Sequence, residues 1–204
     1  DTQIIYSTHS TQISEVSNVE NINILAKKLN YAEVYQPSTD LGAENINQVQ
    51  RYLDAVRTNL LFAKGVILVE GDAEEILIPI IVKKVLGISL DELGISLINI
   101  RSTGFENVAQ LFHNDRIQRK CAILTDLDDA ICDTTEVVGD SDALKKYKKK
   151  VAGSKQKGLA RKVKLDAFEV GNIWVKAFYA KHTFEVDFIT EGNELEEEPS
   201  GRIS

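Results

Sequence analysis

"GVILVEGDAEEILIPIIVKKVL", residues 65–86, changes period in its middle. Gly65 to Val69 are a short continuous apolar run, the pattern of a strand buried on both faces of a parallel sheet. From Asp72 onward the apolar residues recur at helical spacing, and Glu70 and Gly71 form the turn between. A strand that passes straight into a helix is the first half of a βαβ unit, and the alternation continues. ISLINI (95–100) reads as a strand, FENVAQLFH (105–113) as a helix, CAILT (121–125) and NIWVKAFY (172–179) as strands. Strands alternating with helices imply right-handed crossovers and a mostly parallel α/β sheet flanked by helices. Upstream, Ile46, Val49, Leu53, Val56, Leu60 and Leu61 mark an amphipathic helix over 46–62 that packs on one side.

With 204 residues the chain can bury one good-sized core, with room for a short appendage. Its 43% hydrophobic and 27% charged residues are ordinary for a globular protein. No apolar run approaches the ~20 residues of a membrane span and the first residues do not resemble a signal peptide, so no membrane partner and a cytoplasmic location are expected. Cys121 lies in a strand pattern and Cys132 in a loop, without a C-x-x-C pair, which predicts reduced thiols and no zinc. The formal charge of -7 argues against a protein that coats nucleic acid generally. It leaves room for an enzyme whose acids hold metals and whose bases are concentrated elsewhere. They are concentrated in LKKYKKKVAGSKQKGLARKVK (144–164), where Lys148, Lys149, Lys150, Lys155 and Lys157 are candidate DNA contacts. A solvated insertion suits the same stretch.

The opening DTQIIYSTHSTQIS starts in mid-strand without Met, as expected of a piece of a longer protein. QIIYS reads as a buried strand, NILAKKL (23–29) as a helix or turn, and AEVYQ (32–36) as a short strand. STDLGAEN (38–45) is turn-rich, which predicts an opening segment 1–43, a main domain 44–190 and an acidic tail 191–204.

In parallel α/β sheets ligands bind beyond the carboxyl ends of the strands. Glu70, Asp126 with Asp128, and Lys181 all follow strands there. In an extended segment Asp126 and Asp128 would point the same way and Leu127 oppositely. Convergent carboxylates repel unless a positive charge compensates, and joined by Glu70 they offer hard oxygens suited to Mg2+ or Mn2+. A solvated loop start with helix-capping aspartates is the alternative. Asp72 and Glu75 have capping-box spacing. Glu74, one turn from Glu70, is placed to reach a second metal or to serve the helix dipole. Pro79 should start or kink a turn. Lys181 is suited to stabilising charge on a phosphate, His182 reads as ordinary, and Glu185 and Asp187 are ligands or first-turn acids.

Together VILVEGDAEE and CAILTDLDD resemble the Toprim domain of topoisomerases, primases and some nucleases: a strand-end Glu-Gly, then a strand-end Asp-x-Asp. The FAKGVILVEG lead-in and the late KHTFEVDF resemble the overcoming-lysogenization-defect (OLD) nucleases, over residues 46–190. The resemblance implies a Rossmann-like Toprim sheet and a metal-dependent DNA endonuclease. In it Glu70, Asp126 and Asp128 would hold one metal, Glu74 would help hold a second, and Lys181 would assist the scissile phosphate. Glu185 would match an acid of the family's T-L-E segment, although Phe184 stands where Leu is usual. QIIYSTHS resembles the last strand and switch-histidine loop of an ABC-type ATPase, with His9 at the γ-phosphate sensor. Walker A, Walker B and the signature motif are absent, so ATP would act only through an ATPase domain preceding this segment. The family also implies DNA, further copies of the full-length chain and a helicase as partners. It includes the nuclease subunit of the Gabija anti-phage system, from which a defence role is expected.

Three other readings compete. A haloacid-dehalogenase-like phosphatase also uses Asp-x-Asp after a strand, but on its first strand, whereas Glu70 comes earlier here. A topoisomerase would need a catalytic Tyr from another domain and a primase a zinc-binding domain. A regulatory Toprim domain without catalysis would keep the sheet and lose the chemistry.

Overall fold

The computed structural model describes residues 2–10, 13, 17–55, 59–101, 104–131 and 133–190. The Cys132 loop position and the expected acidic tail 191–204 lie outside them.

Ile24–Lys27 (β1) and Ala32–Tyr35 (β2) form an antiparallel hairpin with Ile24 opposite Tyr35. The Lys28 N–H donates to the Tyr31 carbonyl at 2.8 Å and closes the turn. This corrects the helix or turn expected over NILAKKL, because cross-strand pairing with AEVY overrides local preference. The strand expected at QIIYS is also absent. Residues 2–10 hold no regular element, and Ile4 and Ile5 are 78% and 86% exposed. An extended segment becomes a strand only when a neighbour satisfies its backbone groups, and among the described residues none pairs with it. His9 is exposed in that segment.

Ala43–Ala55 (α1) and Asn59–Phe62 (α2) cover most of the predicted amphipathic helix, with Val49, Tyr52, Leu53, Leu60 and Leu61 buried. Residues 56–58 between them are outside the described set. The chain then alternates: Gly65–Val69 (β3), Asp72–Leu86 (α3), Leu90–Leu93 (α4), Ile95–Asn99 (β4), Phe105–Ala109 (α5), Lys120–Asp126 (β5), Asp142–Glu169 (α6), Val175–Ala180 (β6) and Phe184–Thr190 (α7). The four-stranded sheet has the order β4-β3-β5-β6. β3 pairs parallel with β4, Gly65 opposite Ile95, and with β5, Gly65 opposite Lys120. Hydrogen bonds from Cys121 N to Trp174 O and from Leu127 N to Ala180 O advance together, so β6 runs parallel too. The predicted α/β architecture is therefore the observed one.

The described residues divide into two compact units. The first takes Asp1–Leu124 and Val163–Phe178, the second Thr125–Lys162 and the chain from Tyr179 onward, so β5, α6 and β6 each pass from one to the other. The core of the first unit is Val66, Leu68, Val69, Ile98, Cys121, Ile123, Val175 and Ala177 of the sheet. It continues through Phe105, Val108, Leu111, Phe112 and Ile117 of α5 and the turn after it. Helix α5 is shorter than predicted because the chain turns at Gln110, and Ile117 N–H reaches back to Leu111 O at 3.0 Å. The Arg119 guanidinium donates to the carbonyls of Leu61 (3.1 Å) and Ala63, pinning α2 at the foot of β5. Pro79 does not start the helix: it lies inside α3, which begins at Asp72 and runs on to Leu86.

The basic stretch lies within one 28-residue helix, α6, most of whose residues are exposed. Its two glycines differ. A Cβ at Gly153 would meet nothing within 4 Å, so Gly153→Ala should raise stability by about 0.5–1 kcal/mol, as a shift of the denaturant midpoint. Burial pushes the Cys121 thiol well above its ordinary pKa, so the thiol stays protonated and shielded. In a Cys132→Ser background Cys121 should not react with a disulfide reagent until the protein unfolds. Among the described residues no helix is long and apolar enough to cross a membrane.

Candidate active site

In the first unit the turn after β3 presents Glu70 exposed, and the first turn of α3 carries Glu74 buried, 6% exposed. Gly71 is the N-cap in extended conformation, with no side-chain cap. A Cβ there would overlap the Glu74 carboxylate, whose Cδ lies 3.1 Å from that position, so only glycine lets Glu74 fold back over the turn. The predicted Asp72–Glu75 capping box is not formed. Both carboxylates accept instead from Asn99 Nδ2, at 2.9 and 3.0 Å, while Asn99 Oδ1 accepts from Arg101 N–H at 3.0 Å. Asn99 is buried at the end of β4, and a buried amide left unpaired costs about 1–3 kcal/mol, a cost that these two first-turn acceptors remove.

In the second unit β5 ends at Asp126, and the DLDD segment stays attached to the end of β6. Leu127 N–H donates to Ala180 O and Asp129 N–H to Lys181 O, both at 2.9 Å. Asp128 has φ +54°, in the left-handed region. The extended backbone that would align Asp126 with Asp128 therefore stops at Asp126, a correction to the simple alternation argument. Aspartate tolerates this conformation better than most residues, and such positions cluster where function holds the backbone. The Asp126 Oδ2 accepts from Phe184 N–H at 3.2 Å. Arg161 Nη2 of α6 donates to the Asp126 carbonyl at 2.7 Å and stands 3.6 Å from Asp128 Oδ2. Lys155 Nζ is 2.7 Å from Asp129 Oδ1, and this bond holds the Asp129 carboxyl below its ordinary range.

Lys181 follows β6 and is exposed. Its turn is clamped: Asp187 Oδ2 accepts from Lys181 N–H at 2.6 Å and from His182 N–H at 3.2 Å. His182 Nδ1 faces the Asp129 carbonyl at 2.9 Å, and because a carbonyl only accepts, Nδ1 carries the proton. Asp187 is thus the first-turn acid that binds this turn. Glu185 is exposed in the first turn of α7.

Within the second unit the structure brings Asp126, Asp128 and Asp129 to the Lys181 turn and to Lys155 and Arg161. Glu70 and Glu74 stand in the first unit. Among the described residues no group of three or more His, Cys, Asp or Glu is close enough to hold a metal ion. The donor types fit a hard divalent cation: Glu70, Glu74, Asp126 and Asp128 offer carboxylate oxygens, and Gly71 makes the space in which Glu74 sits. Of the predicted DNA contacts, Lys149, Lys150 and Lys157 are exposed on α6. Lys148 is instead bound to Asp140 at 2.8 Å and Thr135 O at 2.7 Å, and Lys155 to Asp129. Sequence reasoning missed Arg161, Lys155 as a partner of Asp129, and the clamp by Asp187. One signal was available: Gly158, a helix-weakening residue three positions from both Lys155 and Arg161. Its Cβ would overlap the Leu127 carbonyl group, with Leu127 Cα 2.9 Å away.

Residues 61–128 match the family model described as overcoming lysogenization defect protein-like, TOPRIM domain. Among solved structures, the chain is similar to the C-terminal region of the Burkholderia pseudomallei OLD protein, at 29% identity and a TM-score of 0.41. That match covers 64% of this chain, which spans 60% of the other. A search of curated proteins returned no match. The matched segment runs from α2 through β5 and takes in Glu70, Glu74, Asp126 and Asp128, and over that segment the chain is similar to the OLD-like Toprim family.

Proposed function

We propose that the chain is a divalent-metal-dependent DNA endonuclease, hydrolysing phosphodiester bonds as the nuclease part of an OLD-type protein. One observation carries the reading: the matched segment holds both Glu70-Gly71 after β3 and Asp126-x-Asp128 after β5, acids following two strands that pair in parallel. Glu70, Asp126 and Asp128 would hold one Mg2+ or Mn2+, with Glu74, and Glu185 as a further acid, serving a second. When bound, such ions stabilise the attacking and leaving oxygens of an in-line displacement. Lys181, on a turn fixed by Asp187 and Asp129, is set to neutralise charge on the scissile phosphate. In a longer chain, ATP would act through a preceding ATPase domain, with further copies and a helicase as partners in cytoplasmic phage defence.

The exposed lysines of α6 supply the DNA contact in this reading. Glutamine at Lys149, Lys150 and Lys157 should weaken DNA binding and reduce the salt slope by about one for each lysine removed. Lys148→Gln should leave the slope nearly unchanged, because that side chain is held by Asp140. The function itself is tested by incubating the chain with supercoiled plasmid and Mg2+ or Mn2+, beside an EDTA control. Nicked or linear product that disappears with EDTA is expected. Intact plasmid together with no calorimetric metal binding would favour the regulatory Toprim instead.

A further inference from the structure

We infer that Lys155 and Arg161 are built-in competitors for the divalent cation, holding the Asp126–Asp129 loop in a metal-poor state until they are displaced, an inference that rests on the metal-dependent reading above. The two cations reach the loop from one stripe of α6. Arg161 Nη2 takes the Asp126 carbonyl and faces the Asp128 carboxylate, while Lys155 Nζ takes the Asp129 carboxylate. Gly158 lies midway between them, three residues from each, where the helix backbone comes so close to Leu127 that a Cβ would overlap its carbonyl. Backbone packing therefore sets where the two side chains arrive. Lys149 and Lys150, on the same helix, are exposed, and no carboxylate of the described residues forms an ion pair with either in the way Asp129 does with Lys155.

A divalent cation bound through Asp128 would share a carboxylate whose Oδ2 faces Arg161 at 3.6 Å, and the two positive charges repel across it. The pairs are weak enough to yield. The Arg161 and Asp128 side chains are 25% and 32% exposed, Lys155 is 47% exposed, and ion pairs this open to water contribute little. The device is a bias against metal that a doubly charged ion overcomes, and an incoming phosphate, which binds Arg and Lys in place of the carboxylates, would relieve it.

The test is titration calorimetry of Mn2+ into the full chain, the Lys155→Gln/Arg161→Gln variant, and a Lys149→Gln/Lys150→Gln control, at low and high salt. Competition predicts Mn2+ binding about fivefold tighter in the first variant, persisting at high salt where exposed, distant charges are screened, and little change in the control. The single Lys155→Gln variant, at a largely exposed position, covers the case in which loss of Arg161 disturbs the fold and should still bind more tightly than the parent. Unchanged or weaker binding in both, with normal binding by the parent, overturns the inference alone and makes the two cations scaffolding. Absence of Mn2+ binding in every form overturns the metal-dependent reading as well.

Discussion

On the proposed nuclease reading, Asp126→Asn and Glu70→Gln should each remove divalent-metal-dependent plasmid cleavage, by on the order of a hundredfold or more, and leave the fold intact. Loss of groups that merely orient metal ligands costs about 10–100-fold, so loss of a ligand charge should cost at least as much. Asparagine at 126 keeps the size and one acceptor oxygen for Phe184 N–H, so the start of α7 survives the change. Glu70 is exposed, and glutamine there disturbs no packing. Glu185→Gln should have a smaller effect, because Glu185 is exposed in α7 outside the matched segment. Product yields against time, with thermal midpoints for each variant, check all three, and full activity in either of the first two would refute their role as ligands.

Gly158→Leu should destabilise the second unit by about 3 kcal/mol, the upper part of the range for forcing atoms into a packed site. The Cβ alone overlaps Leu127, and its obstacle is backbone, which cannot swing aside as a side chain would. Relief requires α6 to move away from the DLDD segment, carrying Lys155 and Arg161 with it. Denaturant unfolding reads the loss. The opposite sign expected for Gly153→Ala, on the same helix, shows that propensity and packing are separable here: one glycine is a weakness, the other a requirement.

The parallel sheet was legible because β3 is a continuous apolar run and β4, β5 and β6 are mostly apolar stretches bounded by turns, a signal contained within a few residues. The β1–β2 hairpin was half legible. AEVY alternates visibly, but ILAK became a strand only through its partner. QIIYS carries the same local signal as a strand and forms none. Helix α6 was the least legible element, since its lysines leave no apolar stripe and Gly158 and Leu165 are its buried positions.

The same division runs through the site. Glu70, Asp126, Asp128 and Lys181 could be named because strand ends are where ligands bind in such sheets. The spatial partners could not. Arg161 and Asp128 are joined across 33 positions by helix packing, and Asp72 and Glu75 abandon their local spacing for Asn99, which only the fold brings to them. Asp128 shows the limit of counting residues, because one positive φ undoes the two-residue alternation that pairs it with Asp126.

The most direct measurement is calorimetric titration of Mg2+ and Mn2+ into the chain and its Asp126→Asn variant, at equal concentration and ionic strength. Saturable binding to the parent that is lost or weakened at least tenfold in the variant is the predicted result. Equal binding in both, or none in the parent, would contradict a metal centre built on the acids that end these strands.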